Sequence, residues 1–287
     1  MHYLGWKKAL RKNQWLRKNQ WLRKNLWLRK NQWLRKNQWL RKNENPLGVI
    51  LNKPGYLLGF FILFNMHKIE ENIKFVRDEI EKNSLRTEKD IRLVAVSKGQ
   101  NYSAIKSAFD AGQKIFGENY LQEALEKKKF LENLDIEWHF IGPIQSNKCK
   151  LISENFSWVQ TVDRIKIANK LNQYRALEIP LNICIQVNIS DENTKSGISL
   201  NDVNQFAKVI SNLKNLKLRG VMAIPSKVNQ SQALISQYKS LRDLYEKLKI
   251  SYSSVDTLSI GMSSDYLLAI ENGANLVRIG TKIFGAR

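Results

Sequence analysis

The chain has 287 residues, of which 43% are hydrophobic, and a formal net charge of +21. This length is enough for one large domain or two ordinary ones. The two cysteines, Cys149 and Cys184, have no metal-like spacing, which argues against a disulfide framework and is typical of a protein of the reducing cytoplasm.

A basic repeat occupies the first 45 residues. They contain fourteen Lys or Arg and a single acid, Glu44, and therefore carry +13 of the net charge. From Arg11 to Asn43 the unit Trp-Leu-Arg-Lys-Asn-Gln recurs every six residues, with Leu26 in place of one Gln. Neither a helix nor a strand of this period gathers apolar residues on one face. The extension 1–45 is therefore predicted to be disordered or weakly helical.

Two interpretations of this extension remain open. Interleaved Arg, Lys and Trp side chains are suited to contacting phosphates and stacking on bases, so the segment could act as a nucleic-acid-binding arm. Alternatively, it is a tandem repeat translated from upstream of the native start, for which Met66 is the candidate.

Residues 46–65 are predicted to form a short apolar linker. The run Tyr56–Phe64 is far shorter than the ~20 apolar residues of a spanning helix. It follows a basic stretch, as the core of a signal peptide does, but the leader is too long and no small-residue cleavage site follows. Association with a membrane surface stays open as an alternative.

From Met66 onward, apolar strands alternate with helical patterns after an opening amphipathic helix, Lys68–Lys82. The predicted strands are Ile91–Ser97, Lys114–Phe116, Ile136–Ile141, Trp158–Thr161, Leu181–Asn188, Leu216–Val221, Thr257–Ser259 and Asn275–Ile279. The predicted helices between them are Tyr102–Ala111, Glu123–Leu134, Arg164–Tyr174, Leu200–Leu213 and Gln230–Leu248. Eight strands in about 220 residues favour an α/β fold, a single (β/α)8 TIM-type barrel with an extra N-terminal helix. Residues 66–287 are thus predicted to be one domain.

Lys98 directly follows the apolar run of the first strand. In a barrel of this kind, functional groups lie at the carboxyl ends of the strands. An ammonium group at the rim of an apolar interior is partly desolvated, which lowers its pKa and makes a neutral, nucleophilic amine accessible. Lys98 is therefore the candidate for a lysine that forms a Schiff base.

Glycine and hydroxyl residues follow the last two strands. Gly261-Met262-Ser263-Ser264 and Gly280-Thr281 offer backbone amides and hydroxyls, and barrel phosphate sites are commonly built from the loops after strands seven and eight. Opposite a lysine after strand one, they favour a phosphorylated aldehyde held at both ends. Pyridoxal 5′-phosphate fits this description.

Six segments of this barrel resemble the YggS/PROSC family of pyridoxal phosphate homeostasis proteins, which are related in fold to the amino-terminal barrel of alanine racemase. The resemblance covers residues 66–287. It is carried by Val94–Lys98, Phe116–Tyr120, His139–Lys148, Arg219–Pro225, Ser259–Asp265 and Val277–Thr281.

The resemblance implies a set of cofactor-binding residues and no metal or catalytic residue. Lys98 would be the Schiff-base lysine and Asn119 would lie near the cofactor. Arg278 would face the pyridine nitrogen. The full set is Lys98, Asn119, Met222, Ser263, Arg278, Gly280 and Thr281, of which Ser263, Gly280 and Thr281 would hold the phosphate.

The expected function is intracellular homeostasis of pyridoxal phosphate with little or no turnover. A guanidinium such as that of Arg278 cannot accept the ring-nitrogen proton, so the ring would stabilise a carbanion poorly. The relatives that racemise amino acids take a second acid/base from a second domain, and nothing follows strand eight here. His139 on strand three is predicted to be a packed residue rather than a catalytic one.

The expected partners are pyridoxal phosphate itself and apo enzymes that receive it. The barrel is predicted to be a cytoplasmic monomer that binds no nucleic acid. Two alternatives come from other classes of protein. One is a pyridoxal-phosphate-dependent amino-acid racemase, and the other is a nucleic-acid or membrane-surface protein that acts through the N-terminal repeat.

Overall fold

The computed structural model describes residues 54–88, 90–176, 178–190, 196–225 and 231–286, with side chains from residue 68 onward except that of Ser231. The predicted extension 1–45 and the first part of the linker, residues 46–53, lie outside the described residues. The chain divides into two compact units, Met1–Leu58 and Gly59–Arg287, and the second contains the fold described below.

Eight parallel strands close into a barrel in chain order, with β1 paired to both β2 and β8. This confirms the predicted (β/α)8 architecture. The strands are β1 (Arg92–Val96), β2 (Ile115–Glu118), β3 (Glu137–Phe140), β4 (Trp158–Val162), β5 (Leu181–Val187), β6 (Leu216–Ala223), β7 (Thr257–Ser259) and β8 (Leu276–Ile279).

Helices follow the strands and cover the outside of the barrel. Among the described residues they are α1 (Pro54–Thr87), α2 (Tyr102–Asp110), α3 (Leu121–Phe130), α4 (Cys149–Asn155), α5 (Ile165–Tyr174), α6 (Val203–Ser211), α7 (Ser231–Ser251), α8 (Tyr266–Glu271) and α9 (Thr281–Phe284). No helix in this part of the chain is long and apolar enough to cross a membrane.

The first helix is longer than the sequence pattern indicated. The predicted helix Lys68–Lys82 lies within α1, which begins at Pro54 and includes the apolar run of the predicted linker. Pro54 stands at the first helical position, where its missing N–H has no intrahelical partner to lose. The buried face that packs on the barrel consists of Ile69, Ile73, Val76 and Ile80.

Two strands extend by two residues beyond their predicted ends. Gly117 and Glu118 belong to β2, and Met222 and Ala223 belong to β6, rather than to the loops that follow. Glu118 reads as a loop residue in the sequence because a lone carboxylate is costly to bury. In the structure it is fully buried and paired with Lys127 of α3.

Apolar side chains fill the layer between the strands and the helices in one continuous core. The buried side chains of Trp158, Cys184 and Met222, from β4, β5 and β6, form a separate small cluster. Because neighbouring strand residues alternate between the two faces of the sheet, this second cluster belongs to the barrel interior.

Candidate ligand-binding site at the barrel mouth

Lys98 lies in the turn after β1, two residues beyond the strand end at Val96, and is half-buried. The preceding Ser97 is directed outward, where its hydroxyl donates to Glu118 Oε1 over 2.6 Å. Lys98 itself follows at the carboxyl end of β1, the end at which barrels of this kind bind their ligands. The assignment of Lys98 as the Schiff-base lysine stays a prediction, and the structure gives its place in the chain, directly after β1.

A buried ionic cluster holds this turn from outside. Lys127 Nζ lies 2.8 Å from the Ser97 carbonyl oxygen, 2.7 Å from Glu118 Oε1 and 2.6 Å from Glu123 Oε1. Glu123 Oε1 in turn accepts a hydrogen bond from the Gly99 amide. The residues on both sides of Lys98 are therefore fixed, which limits the positions that its backbone can take.

This cluster was not predicted from the sequence. The i,i+4 spacing of Glu123 and Lys127 was visible, but it is ordinary for an exposed helix face. Burial raises the pKa of Glu118, against the opposing effects of the hydrogen bond and charge of Lys127.

Asn119 follows β2 and is half-buried at the same end of the barrel. Its side-chain oxygen Oδ1 is buried and has no hydrogen-bond partner among the described residues. An unpaired buried acceptor costs free energy, and a donor supplied by a ligand would satisfy it. Gly142 makes this placement possible, because a Cβ at that position would lie 1.9 Å from the Asn119 carbonyl oxygen.

The loops after β7 and β8 converge on the Ser263 hydroxyl. Its oxygen accepts from the backbone amides of Gly280, over 3.3 Å, and Lys282, over 3.5 Å. Thr281, between these two amides, is exposed and begins α9. One hydroxyl and two amides directed at one point form an arrangement suited to an anionic group.

Asp265 keeps the loop after β7 in place. Its Oδ1 accepts from the Met262 amide over 2.8 Å, and its Oδ2 accepts from the Tyr238 hydroxyl of α7. The loop after β8 lies against β1, because a Cβ on Gly280 would be 3.1 Å from the Val96 carbonyl oxygen. The predicted phosphate loop is therefore a direct neighbour of the strand that leads to Lys98.

Arg278 lies within β8, as predicted, and is 4% exposed. Its Nη1 donates to the carbonyl oxygen and the hydroxyl of Ser259, over 2.8 and 2.6 Å, and its Nη2 donates to the Ala223 carbonyl oxygen over 3.0 Å. Burial lowers its pKa to about 10, so the guanidinium remains a cation at neutral pH. Met222 lies on β6, which β7 separates from β8, and packs in the apolar cluster with Trp158 and Cys184.

These groups fit pyridoxal phosphate. The Lys98 amine suits the aldehyde, the amides around Ser263 suit the phosphate, and Asn119 Oδ1 has an unmet need for a donor. The Arg278 guanidinium, which only donates, suits an unprotonated ring nitrogen. No group of three or more His, Cys, Asp or Glu side chains able to hold a metal occurs in the described part of the chain.

A cavity of about 490 Å³ lies elsewhere, at the amino ends of β1 and β2. Its lining includes Arg77 and Glu81 of α1 together with Asp90 and Lys114. Ligand sites of such barrels are formed at the carboxyl ends of the strands, so this cavity is not the candidate site.

The family model and the curated relatives point to the same kind of protein. Residues 64–287 match the family described as alanine racemase, N-terminal domain. The chain is 46% identical over 227 residues to the pyridoxal phosphate homeostasis protein of Haemophilus influenzae, covering 76% of this chain and 96% of that protein. It is also 46% identical over 229 residues to the protein of the same name from Escherichia coli K12, covering 77% and 98%.

Among solved structures, the chain is similar to PipY of Synechococcus elongatus with PLP bound. The TM-score is 0.67 and the sequence identity is 31%, over 76% of this chain and 100% of that one.

Proposed function

The chain belongs to the family of pyridoxal phosphate homeostasis proteins, which share the barrel of the alanine racemase N-terminal domain, and we propose that it binds pyridoxal phosphate in that role. One observation carries this proposal. The half-buried Lys98 at the end of β1 and the amides around Ser263 at the end of β8 lie on adjacent strands.

In the proposed complex, the Lys98 amine forms a Schiff base with the aldehyde carbon, with loss of one water. Ser263, Gly280 and Thr281 bind the phosphate, and Asn119 lies beside the cofactor. Met222 contacts the cofactor from the apolar cluster that it forms with Trp158 and Cys184. When bound, pyridoxal phosphate supplies an aldehyde for amines and an electron-withdrawing ring.

The residues favour holding the ligand over vigorous catalysis. A carboxylate at the ring nitrogen would keep that nitrogen protonated and the ring strongly electron-withdrawing. Arg278 has no acceptor for that proton. We therefore propose a cytoplasmic, monomeric carrier that stores pyridoxal phosphate or passes it to apo enzymes, with little or no turnover of amino acids.

The first prediction concerns Lys98. Incubation of the full chain with pyridoxal phosphate is expected to give the absorption band of a Schiff base, and borohydride reduction is expected to fix one ligand per chain on Lys98. Peptide mapping by mass spectrometry locates the adduct. Lys98→Ala should lose both the absorption band and the adduct, because the substitution removes the amine of the turn that follows β1.

Lys106→Ala is the matched control, because Lys106 is an exposed residue of α2 that pairs with Asp110. It should leave the spectrum unchanged. An adduct of equal yield in Lys98→Ala would contradict the assignment. Rapid solvent-deuterium exchange at Cα of alanine or serine would instead support the racemase alternative.

A further inference from the structure

A chain of four hydrogen bonds crosses the barrel interior from Arg278 to Glu137. Arg278 Nη1 is 2.6 Å from Ser259 Oγ, and Ser259 Oγ is 2.7 Å from Gln160 Oε1. Gln160 Nε2 is 2.7 Å from His139 Nδ1, and His139 Nε2 is 2.6 Å from Glu137 Oε1. Members come from β8, β7, β4 and β3, so the chain spans the barrel rather than following one strand.

The chemistry of the groups gives every bond the same direction. A guanidinium only donates, so Ser259 Oγ accepts from Arg278 and directs its own hydrogen to Gln160 Oε1. The Gln160 amide nitrogen then donates to His139 Nδ1. His139 must carry its hydrogen on Nε2, which donates to the carboxylate of Glu137. Each group thus donates to the next one, from the buried cation of Arg278 to the carboxylate of Glu137.

The surroundings keep His139 neutral. It is fully buried, and its ring stacks on Trp158 with centroids 5.0 Å apart and planes at 13°. Burial lowers the pKa of His139; Glu137 opposes this effect and the cations of Arg92 and Arg219 add to it.

The two arginines are themselves held in place. The Arg92 and Arg219 guanidiniums lie 4.9 and 4.6 Å from the Trp158 ring centroid, and Arg219 is paired with Asp256.

We propose that Ser259, Gln160 and His139 are positioning residues that orient the Arg278 guanidinium toward the ring nitrogen of bound pyridoxal phosphate. This proposal rests on the proposed function above. Arg278 has no carboxylate among its hydrogen-bond partners, which are Ser259 and the Ala223 carbonyl oxygen. The chain connects this buried cation with Glu137, whose side chain is 40% exposed at the opposite end of the barrel.

Without the Ser259 hydroxyl, Arg278 keeps only two backbone carbonyl partners. Without Gln160, that hydroxyl loses the acceptor that fixes its direction toward Arg278. A guanidinium held by fewer fixed acceptors can rotate, and the donor facing the ring nitrogen is then less well placed. The bound ligand reports such a change directly, because its absorption depends on the charge and hydrogen bonding of the ring.

The first experiment needs no ligand. The chain contains only three histidines, His2, His67 and His139, so nitrogen NMR of the full protein can assign His139 from the signals lost in His139→Asn. A neutral ring protonated at Nε2 is expected, without titration between about pH 5 and pH 8. A ring protonated at Nδ1, or one that titrates in this range, would overturn the proposed direction of the chain.

The second experiment compares two buried glutamines in the loaded protein. Gln160→Leu breaks the chain, whereas Gln113→Leu removes a glutamine that is also buried but bonds to the Leu93 and Ile115 carbonyl oxygens outside it. The melting temperature should fall in both variants. Only Gln160→Leu should shift the absorption maximum and weaken pyridoxal phosphate binding, by roughly tenfold, the equivalent of about one hydrogen bond.

Ser259→Ala is a smaller change that breaks the chain next to Arg278, and it replaces Gln160→Leu if that variant does not fold. Equal spectra and affinities in the chain-breaking variant and in Gln113→Leu would overturn the positioning role. The two proposals fail differently. Absence of pyridoxal phosphate binding by the unsubstituted protein overturns both the proposed function and the positioning role, whereas unshifted spectra overturn only the latter.

Discussion

At the scale of single residues, Lys127 is the side chain whose role differs most from its sequence context. It lies on a helix with two further lysines beside it, yet its ammonium is buried against two carboxylates and the Ser97 carbonyl oxygen. Lys98 could be predicted because its signal is local, a lysine at the end of an apolar strand. The cluster that holds Lys98 could not, because Glu118 and Lys127 meet only when α3 packs on β2.

Replacing Lys127 by Met is expected to lower the free energy of unfolding by about 3–5 kcal/mol, because Glu118 is left as a buried charge without its partner. Urea unfolding followed by fluorescence measures the loss. Lys129→Met, which alters an exposed lysine of the same helix, should change little. Equal stability of the two variants would contradict the structural role of the cluster.

The pH dependence of that loss has a definite sign. The pKa of Glu118 is already raised by burial, and removal of Lys127 raises it further. A carboxyl group with a raised pKa in the folded state binds its proton more tightly there than in the unfolded chain. The deficit of the Lys127→Met variant should therefore be smallest in acid and grow as pH rises above the ordinary range of a glutamate.

At the scale of elements, apolar runs in the sequence predicted all eight strands, but the predicted ends of β2 and β6 were two residues too early. Gly117 looks like a turn residue in the sequence. In the structure a Cβ there would meet methyl groups of Ile141 and Val94, so glycine at this strand position reflects interior packing rather than a turn.

Gly142→Ala tests the contact between these loops. The new methyl group would collide with the Asn119 backbone, which cannot move without the strand end, and a loss of about 1–3 kcal/mol is expected in denaturant unfolding. Gly117→Ala is the comparison, because its nearest neighbours, at 2.9 Å, are methyl groups of the Ile141 and Val94 side chains rather than backbone atoms. A larger loss for Gly117→Ala than for Gly142→Ala would contradict this interpretation.

At the scale of the whole molecule, alternation of strands and helices was sufficient to predict the closed barrel. The polar chain from Arg278 to Glu137 was beyond such an analysis. Each member is a single polar residue within its own strand, and closure alone brings β3, β4, β7 and β8 together around one interior. His139 was correctly predicted to be packed, but its partners Gln160 and Glu137 gave no signal in the sequence.

A chain that begins at Met66 tests the basic extension. The family match begins at residue 64, so this truncated protein is expected to keep the melting temperature and the pyridoxal phosphate binding of the full chain. It loses +14 of the +21 net charge with residues 1–65, and its retention on immobilised DNA should fall. Equal, salt-sensitive retention of both proteins would show that the extension contributes nothing to such binding.

Pairing of β1 with β8 has a consequence for the order of events during synthesis. Val94 lies beside Arg278 and Ala95 beside Ile279, so the two halves of the proposed pocket come from opposite ends of the folded domain. A nascent polypeptide whose β8 has not yet paired with β1 lacks one half of the proposed pyridoxal phosphate pocket. Binding of pyridoxal phosphate in this pocket would therefore require a closed barrel. The bound ligand would then stabilise the pairing of β1 with β8, because it binds only the folded state.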